Sequence, residues 1–270
     1  MDRYFHFILL LTRPSNLFLS GCSDARVPAN EIIGEPPGSV FVHRNIANMV
    51  VNTDFNCMSV IQYAVDVLQV KHIIVCGHYD CGGVKAALTN TDHRSPLENW
   101  LRNIRDTYRL HKDELDEIED ATLRQRRLVE LNVIEQCLNI FKTAVVQRKR
   151  VETHLSSKDL SSGINFSTPR IHAFVYEPTT GKATKLRVDF ATYLKDLRSV
   201  YDLYQIPPKA IDKVNLTEAI RTANTESILI SDTTVADNDN NNNNNNNNNI
   251  INNRDARKNI FAKLFSKLKK

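Results

Sequence analysis

Residues 71–83 read KHIIVCGHYDCGG, an apolar, β-branched run that ends in a cluster of Gly, His and Cys. A short apolar run bounded by glycine is typical of a strand that is covered on both faces, as in a parallel sheet. Runs of this kind alternate along the chain with segments whose apolar residues recur at helical spacing, the first at 58–68 (MSVIQYAVDVL). The alternation predicts an α/β fold, with a mainly parallel β-sheet flanked by helices.

The same patterns predict the other elements. Strands are expected at 16–21, 39–43 and 171–176, and helices at 96–110, 112–127, 128–148 and 193–204. A turn at 179–182 leads into a last strand near 186–190, which would pair antiparallel at the edge of the sheet. The apolar run at 5–11 is too short to cross a bilayer, and we interpret it as a buried segment rather than a secretion signal.

Composition divides the chain into three parts. Residues 1–204 carry the alternating pattern and are expected to form the one folded domain. Residues 205–253 are polar and asparagine-rich, cannot bury enough apolar surface to fold, and are expected to form a disordered linker. Residues 254–270 form a basic amphipathic tail, for which we weigh contact with an anionic membrane surface or an acidic partner against a simple solvated tail, the alternative we favour.

The charge and the cysteines restrict the function further. The tail holds seven Lys or Arg and one Asp, so it accounts for the net charge of +4, and we expect no nucleic-acid partner. Five cysteines at irregular spacing favour a reducing compartment over a disulfide framework. We therefore expect a cytoplasmic protein, with the mitochondrion as the alternative, and we interpret Cys57 and Cys137 as packing residues.

Three metal-ligand side chains follow two of the predicted strands. His78 and Cys81 come after the strand at 71–77, and Cys22 comes after the first strand. Ligand sites in open α/β sheets lie at the carboxyl ends of the strands, so these side chains can converge. Imidazole nitrogen and thiolate sulfur are typical zinc ligands, and three of them with an open fourth position indicate a catalytic zinc. Cys76 competes as the third ligand, but it lies within the apolar run and is assigned to the core.

Four motifs in this order resemble those of the β-class carbonic anhydrases, chiefly the bacterial and fungal members: GCSDARVP at 21–28, FVHRNIAN at 41–48, SVIQYAV at 59–65 and GHYDCGG at 77–83. The resemblance implies a Cys-His-Cys zinc site, a homodimer that often forms tetramers, and reversible hydration of carbon dioxide to bicarbonate and a proton. Usual members have helices and a substrate-binding glutamine before the first strand. No Gln precedes Gln62 here, so we expect either a truncated N-terminus or a member that works without those parts.

The resemblance also implies roles for residues near the zinc ligands. Asp24 and Arg26 would be the catalytic pair, in which the carboxylate orients the attacking nucleophile and the guanidinium holds the carboxylate. Phe41, Ile46 and Tyr63 are implied to line the substrate pocket, partly from the neighbouring subunit. We also expect the backbone N–H of Gly82 to bind substrate by contacting bicarbonate, since glycine allows a close approach.

Two other functions stay open from the sequence. One is hydrolysis of carbon disulfide or carbonyl sulfide at the same site. The other is a non-catalytic zinc-bearing scaffold that binds membranes or partners through its tail. The presence of Asp24 and Arg26 argues against the scaffold, because a structural zinc needs neither residue.

Overall fold

The computed structural model describes residues 15–156 and 167–204. The features predicted at 5–11, 205–253 and 254–270 lie outside these residues. Within the described ranges, no helix is both long and apolar enough to cross a membrane.

Five strands in the described part of the chain form one sheet: β1 (Leu17–Cys22), β2 (Val40–Asn45), β3 (His72–His78), β4 (Arg170–Glu177) and β5 (Lys182–Lys185). Their order is β2-β1-β3-β4-β5, with parallel pairing except between β4 and β5. The predicted α/β class and mainly parallel sheet are confirmed.

The antiparallel edge strand exists, but it lies before the predicted position at 186–190. The chain turns at 178–181, and β5 pairs with the end of β4. Residue 190 instead begins a helix, because the Asp189 carboxylate caps it by accepting hydrogen bonds from the N–H groups of Ala191 and Thr192.

The helices of the described ranges lie around this sheet. They are α1 (Ala29–Ile33), α2 (Phe55–Gln62), α3 (Gly82–Ala87), α4 (Leu97–Leu110), α5 (Lys112–Asp116), α6 (Ala121–Lys142), α7 (Ala144–Ser156) and α8 (Phe190–Tyr201). The α2 helix continues as one π-helical turn, Tyr63–Val67. The predicted boundaries at 112–127 and 128–148 are wrong, because Asp120 caps a new helix by accepting the N–H of Leu123, and extended Thr143 separates α6 from α7.

The sheet buries an apolar layer on each face. The larger layer includes Phe18, Ile73 and Val75, and α6 packs over it; the smaller includes Leu19 and Cys76. Cys76 therefore lies in the core, as predicted. A close approach fixes the distance between β3 and α6: a Cβ added at Gly77 would lie 2.5 Å from Val133 Cγ2. This packing sets the position of the strand end that carries His78.

Candidate metal centre

The predicted ligands come together at the carboxyl edge of the sheet. Cys22 ends β1 and His78 ends the neighbouring strand β3, while Cys81 lies in the loop that leads into α3. One ligand atom from each residue lies within 4.8 Å of the others, and all three side chains are buried. Two adjacent parallel strands end at the same edge of the sheet, so they bring ligands from distant parts of the sequence into one group.

The geometry of this group fits a zinc ion. The sulfurs of Cys22 and Cys81 are 3.7 Å apart. Two sulfurs about 2.3 Å from a tetrahedral zinc ion would be about 3.8 Å apart. His78 Nδ1 donates a hydrogen bond of 2.8 Å to the carbonyl oxygen of Tyr79, whereas its buried Nε2 has no hydrogen-bond partner. A neutral imidazole protonated at Nδ1 leaves the Nε2 lone pair for a metal.

The electrostatics favour a thiolate at Cys22. The neighbouring Cys81 thiol outweighs burial and, with His78, lowers the pKa of Cys22 to about 4. The pKa of Cys81 is raised in turn, because its thiol shares a hydrogen bond with the Cys22 sulfur, is buried, and would carry a second negative charge beside the Cys22 thiolate. The Cys22 sulfur also accepts hydrogen bonds from two backbone N–H groups, those of Asp24 at 3.3 Å and Ala47 at 3.2 Å. A cation bound between the sulfurs would stabilise both as thiolates.

Asp24 is held next to the cluster without belonging to it. Its Oδ1 accepts a hydrogen bond of 2.8 Å from Arg26, and its Oδ2 accepts one of 2.9 Å from the N–H of Gly82. Both contacts lower the pKa of the carboxyl, and the hydrogen bond from the Gly82 N–H has the larger effect. Asp24 is therefore ionised at neutral pH. Among the described residues, the converging group contains Cys22, His78 and Cys81 and leaves out Asp24.

Several backbone segments around the cluster adopt an unfavourable conformation. Four non-glycine residues here have positive φ: Arg26 (56°), Ala47 (62°), Asn48 (49°) and Asp80 (58°). A left-handed conformation costs an L-residue such as Arg26 or Ala47 about 1–2 kcal/mol, whereas Asn and Asp adopt it more readily, and such strain is concentrated at functional sites.

Arg44 supports the same region, a role that was not predicted from the sequence. Its Nε and Nη2 donate to the carbonyl oxygen of Cys22 at 3.0 and 2.5 Å, and its Nη1 donates to that of Val27 at 2.7 Å. The sequence signal for this role is a basic residue within the segment FVHRNIAN. These bonds fix the chain on both sides of the Cys22–Arg26 turn.

The predicted substrate-binding residues fall into two places. Ile46 and Gly82 lie at the cluster, since Ile46 packs against the residue after Gly82 and the Gly82 N–H contacts Asp24. Phe41 and Tyr63 form a ring pair with centroids 5.7 Å apart. Phe41 pairs with Phe18, four residues before Cys22, so it is about 13 Å along the sheet from the cluster. One chain alone does not bring these four residues together.

A second group of ligand-type atoms fits a metal less well. His43, Asp54 and Cys57 lie within 4.8 Å of one another. However, Asp54 Oδ1 already accepts the N–H groups of Asn56 and Cys57 as the cap of α2. Burial, with the Asp54 charge, raises the pKa of Cys57 to about 12, which disfavours the thiolate that a metal needs. Cys57 therefore packs the core, as predicted.

Comparisons with known proteins identify the family of the chain. Residues 17–183 match the sequence profile of a family described as carbonic anhydrase. A carbonic anhydrase of Emericella nidulans is 53% identical over 190 residues, which are 70% of this chain and 77% of that protein.

Solved structures give the same result. A tetrameric β-carbonic anhydrase of Sordaria macrospora is 34% identical, with a TM-score of 0.58 over 68% of this chain and 87% of its own. The Coccomyxa β-carbonic anhydrase in complex with acetazolamide is 28% identical, with a TM-score of 0.61 over 74% of this chain and 90% of its own. The chain belongs to the carbonic anhydrase family, in its β class.

Proposed function

We propose that this protein hydrates carbon dioxide reversibly to bicarbonate and a proton, at a zinc ion held by Cys22, His78 and Cys81. The observation that carries the ligand set is the pair of sulfurs 3.7 Å apart beside a buried imidazole nitrogen that has no hydrogen-bond partner. The zinc would supply the Lewis acidity that, in the well-known three-histidine carbonic anhydrases, lowers the pKa of water to about 7.

Asp24 would orient the nucleophile. Each carboxylate oxygen accepts one hydrogen bond in this structure and retains capacity for another. The ionised carboxylate can therefore accept a hydrogen bond from the O–H of the attacking nucleophile and direct the oxygen lone pair toward carbon dioxide. Arg26 and the Gly82 N–H hold the carboxylate in place, so the orientation costs little at the moment of reaction.

The substrate pocket would be completed by a second copy of the chain. The ring pair of Phe41 and Tyr63 lies away from the cluster of its own chain, next to an exposed apolar surface on β2 and α2. Exposed side chains there are Val42, Phe55, Tyr63 and Val67. Burying this surface in a homodimer would place Phe41 and Tyr63 of one subunit near the site of the other. The related Sordaria enzymes are tetrameric, which supports an assembly of this kind.

Carbon dioxide is favoured over carbon disulfide or carbonyl sulfide, because the relative at 53% identity is a carbonic anhydrase. All five cysteines are free and buried, which supports the proposed cytoplasmic compartment, with the mitochondrion still the alternative. Contact of the basic tail with a membrane or an acidic partner stays a prediction.

Stopped-flow carbon dioxide hydration tests the proposed function. The zinc-loaded protein should be active, and Cys22→Ala should lose both zinc and activity. Cys76→Ala is the matched control, because Cys76 lies only two residues before the end of β3 but packs on the other face of the sheet. Acetazolamide, the ligand of the Coccomyxa relative, should inhibit the parent protein. An active Cys22→Ala variant, or an inactive Cys76→Ala variant that has lost its zinc, would refute the ligand assignment.

A further inference from the structure

The loop after β2 brings a backbone donor to the metal centre in a strained conformation. Ala47 and Asn48 both have positive φ, at 62° and 49°. The N–H of Ala47 nevertheless lies 3.2 Å from the sulfur of Cys22 and donates to it. Asparagine tolerates this conformation but alanine rarely adopts it, so surrounding groups must hold the loop at Ala47.

The groups that hold the loop are polar side chains on one face of α6. Asn132 Nδ2 donates a hydrogen bond of 2.9 Å to the carbonyl oxygen of Ala47. Three residues further along the loop, Gln136 Oε1 accepts the N–H of Val50 at 2.8 Å, and Asn139 Nδ2 donates to the carbonyl oxygen of Val50 at 3.2 Å. The spacing of four and then three residues places the three amides in one row along the helix.

Asn132 is buried in an apolar layer and its amide has a fixed orientation. Its exposed fraction is 1%, and its Oδ1 accepts a hydrogen bond of 3.1 Å from Gln136 Nε2. The Nδ2 group must therefore face Ala47. A buried amide is unfavourable unless it is paired, so this row is a specific feature of the fold rather than a generic packing surface.

We propose that Asn132 is a positioning residue for the metal centre: it holds the Ala47 carbonyl so that the Ala47 N–H stays directed at the Cys22 sulfur. The proposal rests on the proposed zinc site. A hydrogen bond to a metal thiolate withdraws charge from the sulfur and fixes its direction, so its loss alters both the affinity for the metal and the sulfur–metal bond.

The test replaces Asn132 with leucine, which has a similar size and cannot donate. Zinc affinity is measured by competition with a chromophoric chelator, and the sulfur-to-cobalt charge-transfer absorption is measured on the cobalt-substituted protein. We expect Asn132→Leu to bind zinc about 10–100-fold more weakly and to show a shifted charge-transfer band. Asn139→Leu is the matched control, because it removes a bond from the same helix to the same loop but not to Ala47. It should retain the parent affinity and spectrum.

Asn132→Ser provides a second variant, since its short side chain does not reach the Ala47 carbonyl and is easier to accommodate than leucine. It should show the same weakening and the same shift. Parent affinity and an unshifted band in either variant, or failure of both variants to fold, would assign Asn132 a purely structural role and overturn the proposal. A parent protein that binds no zinc would instead refute the proposed function, so the two failures are distinguishable.

Discussion

Gly77→Ala tests the packing that positions the metal centre. The added Cβ would lie 2.5 Å from Val133 Cγ2, whereas carbon atoms in contact prefer about 3.5–4.0 Å. The φ of Gly77 is not positive, so the penalty is steric and not conformational. Either β3 or α6 must move by about 1 Å, and overpacking of this kind costs about 1–3 kcal/mol. For a domain of this size we expect the Tm to fall by about 2–4 °C per kcal/mol.

Urea unfolding of a double-mutant cycle measures this effect. Val133→Ala removes the clashing methyl group, so Gly77→Ala should cost much less in that background. Val129→Ala is the control, because Val129 Cγ1 lies at an ordinary 3.5 Å from the added Cβ and its removal should relieve little. An unchanged free energy of unfolding in Gly77→Ala, or equal rescue by both valine variants, would refute the steric explanation.

Three further predictions concern catalysis, pH and assembly. Asp24→Asn should lower kcat for carbon dioxide hydration by about 10–100-fold while zinc content is retained, and normal turnover would contradict the role of the carboxylate. Burial lowers the pKa of His172 far below its ordinary value, and the nearby positive charges of His72, Lys185 and Arg170 lower it further. Below about pH 6.5 the unfolded chain binds a proton at residue 172 that the folded chain does not bind, so the free energy of unfolding should fall as the pH falls, by at most about 1.4 kcal/mol per pH unit from this group. In urea titrations at several pH values, His172→Asn should flatten that slope, and an identical slope in the variant would disprove the role of His172. Phe55 is 83% exposed and lies on the surface that the proposed homodimer would bury, so Phe55→Asp should shift the protein toward monomer in light-scattering chromatography. Val200→Asp, at a site that is 69% exposed but outside that surface, should leave the assembly unchanged.

The strands and the ligand cluster were predictable because their signals are local. Each buried strand is a short apolar run, and Cys22 and His78 directly follow such runs. Since parallel strands end at one edge of a sheet, convergence follows from the fold class alone. The role of Cys76 followed in the same way, from its place within the apolar run.

The features that were missed depend on contacts between distant segments. The strand end at Lys185 and the helix start at Phe190 were misplaced, because the capping bonds of Asp189 outweigh the β-propensity of residues 186–190. Asn132 lies 85 residues after Ala47, to which it donates a hydrogen bond. The only sequence signal for this contact is a polar residue within an apolar helix face. The strain at Ala47 has no sequence signal, since alanine is ordinarily a helix former.

X-ray absorption at the zinc K-edge of the purified, zinc-loaded protein measures directly whether Cys22, His78 and Cys81 bind zinc. We expect one zinc per chain with two sulfur neighbours at about 2.3 Å and nitrogen or oxygen neighbours at about 2.0–2.2 Å, including one imidazole. Loss of the bound zinc in Cys22→Ala, and an unchanged zinc shell in Cys76→Ala, would agree with the ligand set. A zinc shell without sulfur, or with three or more sulfurs, would contradict it.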